Sequence, residues 1–199
     1  MIEAKNWDGT DIKKEADPPG VGFHWNVQEK TRETIENLYS LGTDDFLVCD
    51  DRANEIADYV LIQGGLRKKI TFFHCKYQMA GTMKKPQGPG VSREEITELT
   101  DQGVRTGHWI GATNLVDRLL SRIATLSKLV CGTEADLKAL ARNFYPSEWT
   151  YAVVLVQPGL SRDKLISSQK PSQAEQLLIV LADRITTDYG AKFLIWTSA

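Results

Sequence analysis

Apolar and polar positions change period several times along the chain, and each change marks an element. Residues 26–41, NVQEKTRETIENLYSL, carry a helical spacing that sets Ile35, Leu38 and Tyr39 on one side, with Asn26 as N-cap and a Glu three residues on. Three strand-like runs follow: DDFLVCDD, EIADYVLIQ and ITFFHCKYQ, with a polar turn at DRAN and a hairpin turn at GGLRKK. Residues 79–92, MAGTMKKPQGPGVS, are too broken by Gly and Pro for regular structure. Ser92 then opens a helix with a capping box to Glu95, weakened later by glycines at 103, 107 and 111. ATNLVDRLLSRIATLSKLV reads as one long amphipathic helix with Leu115, Leu119, Ile123 and Leu126 inward, and Thr133 opens another. TYAVVLVQP is a continuous apolar run closed by Pro158-Gly159, as a central strand would be. Ser172 and Glu175 cap a further helix, and AKFLIWTSA closes the chain as a strand. The order predicts an α/β domain: a mixed central sheet with an α-β-β-β-α-β core, flanked by helices on both faces. Residues 1–25, with Pro18, Pro19, Gly20 and Gly22, read as an irregular lead-in, and 26–199 as a single domain.

Composition narrows the class. At 199 residues, 42% hydrophobic and 25% charged, the chain is long enough for one substantial core. No apolar run approaches the roughly 20 residues of a membrane span, and the N-terminal stretch has no signal-peptide core, so a cytoplasmic, non-membrane protein is expected. Three cysteines without CxxC spacing argue for reduced thiols rather than disulfides or structural zinc. A net charge of −2 leaves any nucleic-acid contact to local patches. Candidates are Arg67–Lys69, Lys84-Lys85 and the Arg118, Arg122, Lys128 series.

The chemistry concentrates on ITFFHCKYQ. Strand alternation puts Ile70, Phe72, His74, Lys76 and Gln78 on one face and Thr71, Phe73, Cys75 and Tyr77 on the other. An imidazole and an ammonium therefore leave the same face of an apolar strand. Cys75 points away from His74, so the adjacent pair is no dyad, and Cys75 reads as a small buried hydrophobe. In a hairpin meander the start of one strand lies beside the end of the next, so Asp58 can meet His74 and Lys76 at one sheet edge. Glu55 would face away in a regular strand, unless the turn brings it back. Gln102 and Arg105, three apart on a helix, share a face. There is no phosphate-cradling Gly loop and no triad spacing for a small-molecule enzyme.

An acid opening the second strand and a residue-x-Lys ending the third, in EIAD and HCKY, with the helical QGVR pair, resembles the PD-(D/E)XK nuclease superfamily. The resemblance covers roughly residues 26–160 and implies a restriction-endonuclease-like fold. It is similar to nuclease-like domains attached to bacterial helicases of defence and restriction systems. It gives Asp58 the acid position, Lys76 the lysine position, and Gln102 and Arg105 the helix pair. His74 stands where the family usually has Asp or Glu. The implied activity is Mg²⁺- or Mn²⁺-dependent hydrolysis of DNA, with a helicase or ATPase domain or subunit as partner. RNA as substrate and a homo-oligomer stay open. Asp58, the Cys75 backbone carbonyl and His74 would ligate the cation, with Glu55 as a further ligand. Lys76 would position water or stabilise charge, and Gln102 and Arg105 would hold phosphate. The alternative that His74 raises is a catalytically degenerate nuclease fold that binds nucleic acid or a protein.

Overall fold

The computed structural model describes residues 1–8, 10, 26–77, 93–167 and 171–199. Seven strands form one mixed sheet: β1 (Ile2–Ala4), β2 (Asp45–Cys49), β3 (Tyr59–Gln63), β4 (Lys69–Cys75), β5 (Lys128–Cys131), β6 (Thr150–Ser161) and β7 (Lys192–Ser198), in the order β1-β7-β6-β4-β3-β2-β5. The meander β2-β3-β4 is antiparallel, whereas β4, β6, β7 and β1 run parallel. β4 is thus the strand at which the sheet changes sense.

The alternation along β4 divides the core as the sequence predicts. Ile70 and Phe72 join Val60, Ile62, Val153 and Leu155 under helices α2 (Arg93–Thr106), α3 (Leu115–Ile123), α4 (Glu134–Arg142) and α6 (Gln173–Thr187). Phe73 and Cys75 join Leu61, Val154 and Trp196 under α1 (Val27–Tyr39). Both faces of the central strands are buried, which is why they read as unbroken apolar runs. Asn26, Thr133 and Ser172 cap α1, α4 and α6 through their side chains, Ser172 in a full capping box with Glu175. The short helix α5 (Arg162–Ser167) follows β6 directly.

Several expectations need correction. Ile2–Ala4 is not irregular: it pairs in parallel with β7, Ile2 opposite Ile195. The long helix expected over 112–130 stops at Ile123, and Leu126 is 55% exposed. Lys128–Cys131 instead pairs antiparallel with β2, where it covers an otherwise open strand edge. Leu38, grouped with Ile35 and Tyr39 on one side of the helix, is 53% exposed. Pro158-Gly159 does not end its strand, because β6 runs on to Ser161 through a register shift, with the Gly159 N–H bonded to the Gln157 side chain at 2.9 Å. Gly103 is more than a weak helix former, since a Cβ there would lie 2.9 Å from Leu181 Cδ2, so it lets α2 and α6 approach. Gln78, the loop 79–92, the Ser92 cap and Pro18–Gly22 lie outside the described residues.

Candidate metal and phosphate site

The site is built where the β3–β4 hairpin runs out. The last pair of the ladder is Tyr59 opposite Phe73. Beyond it the Asp58 side chain substitutes for backbone: its Oδ2 accepts the Cys75 N–H at 2.8 Å, and Gln28 Nε2, from α1, donates to its Oδ1 at 2.9 Å. Asp58 is 1% exposed. The hairpin register therefore brings Asp58 beside His74, with Oδ2 4.0 Å from His74 Nδ1.

His74 is neutral. Its burial pushes its pKa down to about 3, and the Arg105 guanidinium adds to the effect. The 4.0 Å approach to Asp58 is therefore no ion pair. His74 Nε2 contacts Thr106 Oγ1 on α2, and Thr106 Oγ1 lies 3.2 Å from the Gln102 carbonyl. Nδ1 has no hydrogen-bond partner among the described residues, and neither does Gln102 Oε1. Both residues are at least nine-tenths buried. Two buried polar atoms without partners beside carboxylates call for an occupant, and a cation there would meet that need.

The loop between β2 and β3 adds carboxylates. Glu55 does come back: β3 begins only at Tyr59, so residues 51–58 follow no strand alternation. Asp51, Glu55 and Asp58 each offer an oxygen within 4.8 Å of the others, and Gln102 Nε2 lies 3.4 Å from Glu55 Oε1. Those three carboxylates suit a hard divalent cation, and His74, outside that group of three, brings an imidazole to within 4.0 Å of Asp58. Asp51 escaped the sequence reading, although it stands four residues before Glu55 in the same polar turn.

Lys76 is buried and paired: its Nζ donates to Glu98 Oε1 on α2 at 2.6 Å. Glu98 was missed as well, yet helical spacing carries the signal, since 98, 102, 105 and 106 share one face. Of the predicted helix pair, Gln102 turns inward to Glu55, while Arg105 is exposed and lines an open concavity with Asp51, Arg52, Asn54 and Glu55. Among the predicted basic patches, Arg122 is 3% exposed and ion-paired to Asp50, so it is no surface contact. Cys75 is buried as expected, with Sγ 3.5 Å from Thr31 Oγ1.

Set against known protein families, curated proteins and solved structures, the chain matches none. Among the described residues no helix is long and apolar enough to cross a membrane.

Proposed function

We propose that this chain is a metal-dependent nuclease domain that hydrolyses phosphodiester bonds in DNA, of the PD-(D/E)XK type with His74 in place of the usual acid. The observation that carries the reading is the buried His74 Nδ1 without a hydrogen-bond partner, 4.0 Å from Asp58 Oδ2 and beside a cluster of three carboxylates. Asp51, Glu55, Asp58 and His74 would hold Mg²⁺ or Mn²⁺, and imidazole tilts the preference towards Mn²⁺. The cation would lower the pKa of bound water and neutralise phosphate oxygens. Asp58 is oriented for this by Gln28 and Cys75, and His74 by Thr106. Lys76, held by Glu98, supplies positive charge on the face that carries His74. Arg105, which lines the open concavity, would bind a phosphate oxygen. With a net charge of −2, substrate loading falls to a partner, and a helicase or ATPase domain fits that role.

The test is cleavage of labelled single- and double-stranded DNA, with RNA alongside, in Mg²⁺, Mn²⁺ or EDTA. Wild type is run beside Lys76→Ala and His74→Ala. Metal-dependent cleavage lost in both variants supports the reading. Cleavage that survives Lys76→Ala refutes it. DNA binding in EDTA with no cleavage in any metal favours the degenerate binding fold.

A further inference from the structure

A second buried polar group lies directly behind the acidic loop. Asp50, the first residue after β2, is fully buried, and its N–H bonds to the Asp58 carbonyl at 2.9 Å, which closes the loop at its base. Its carboxylate is fully engaged: Oδ2 accepts the Ile56 N–H at 2.8 Å, and Oδ1 accepts Arg122 Nε and Ser127 Oγ. The Arg122 guanidinium then spreads over the loop backbone. It donates to the carbonyls of Ala53 at 3.3 Å, Arg52 at 3.4 Å and Asp50 at 3.5 Å. Arg122 sits at the end of α3, where its own carbonyl accepts the N–H groups of Leu126 and Ser127 as the chain turns into β5.

A buried ion pair is a poor source of stability compared with apolar side chains of the same size. Its value here is geometric, because one planar guanidinium and one carboxylate fix four backbone positions of the loop between them. The three carboxylates that converge come from residues on this loop and its hinge. A surface loop with Asn54 at φ 60 would otherwise let mutually repelling carboxylates move apart.

We propose that the Asp50–Arg122 pair is a positioning device that holds Asp51, Glu55 and Asp58 at the spacing a divalent cation needs. The inference rests on the metal reading above and assigns residues that touch neither metal nor substrate. Lysine cannot replace the arginine, because an ammonium is a point donor that does not reach three carbonyls and a carboxylate together. Loss of such an outer partner typically weakens metal binding about 10–100-fold.

The experiment titrates Mn²⁺ into the full chain by electron paramagnetic resonance, for wild type, Arg122→Lys, Asp50→Asn and the remote core variant Leu194→Ala. Amide hydrogen exchange at residues 51–58 is measured on the same metal-free samples. The expected result is about 10–100-fold weaker Mn²⁺ binding and faster loop exchange in Arg122→Lys and Asp50→Asn. Leu194→Ala should lower the melting temperature and leave both readouts at wild-type values. Unchanged Mn²⁺ affinity in Arg122→Lys overturns the proposal, as does equal weakening in Leu194→Ala. A wild type that binds no Mn²⁺ refutes the metal reading and this proposal's link to it. Loop exchange in Arg122→Lys then decides whether the pair orders the loop at all.

Discussion

Replacing Asp58 in two ways separates its structural work from its chemical work. In Asp58→Ala, the Cys75 N–H and Gln28 Nε2 both lose their acceptor inside the protein, where Cys75 is fully buried and Gln28 is 5% exposed. Each orphaned donor costs about 1–3 kcal/mol. In Asp58→Asn, the amide oxygen still accepts from Cys75, and Gln28 can turn its own amide over to accept from the new NH₂ group. Both hydrogen bonds survive, and a buried charge is removed. The Ala variant should therefore be roughly 2–6 kcal/mol less stable than the Asn variant, a large share of a typical domain's 5–15 kcal/mol or so. The Asn variant should fold like wild type yet lose Mn²⁺ binding and cleavage, because a neutral amide cannot replace the carboxylate. Urea unfolding in EDTA measures the first difference, and Mn²⁺ titration with DNA cleavage the second. Equal stability of the two variants would refute the hydrogen-bond argument. Wild-type cleavage by Asp58→Asn would refute the metal argument while leaving the other intact.

Three further outcomes are expected. His74 has a pKa near 3 in the fold against an ordinary value of about 6.5 in the unfolded chain, so the unfolded chain binds the extra proton first. Stability in EDTA should thus be complete above pH 6.5 and fall as the pH drops towards 3, and urea melts of His74→Gln should show a shallower fall. Lys76→Met should abolish cleavage while Mn²⁺ affinity stays within a factor of a few, since Lys76 pairs with the half-exposed Glu98; a large loss of affinity would speak against that division of labour. Gly103→Ala should change stability by no more than about 1 kcal/mol in urea unfolding, because the gain of about 1 kcal/mol in helix propensity offsets the push on the flexible tip of Leu181; a larger loss would mean that Leu181 cannot give way.

Much of the hairpin was legible because its signals are local. Strand period, the turn at GGLRKK and the Asn26, Thr133 and Ser172 caps each depend on residues a few positions apart. The same logic brought Asp58 to His74. β5 was hidden because Leu126 and Val130 continue a helical spacing, and only the open edge of β2 makes Lys128–Cys131 a strand. β1 was hidden because its partner is almost the whole chain away. The site residues that were missed, Gln28, Asp51, Glu98 and Thr106, arrive from α1, the β2–β3 loop and α2. Their meeting depends on how helices dock on the sheet, which no local pattern records. Arg122 misled for a related reason: among lysines and arginines it looks like surface charge until Asp50 is seen beneath it.

The pairing of Ile2 with Ile195 sets an order of events during synthesis. The β2-β3-β4 meander, with the Asp58–Cys75 contact inside it, is complete once residue 75 has left the ribosome. β6 must wait for a long crossover, and β7 for another. β1 is made before the other six strands of this sheet and yet can be seated only after residues 195–197 have emerged. It therefore docks late, and until it does β7 presents an unpaired edge to its surroundings.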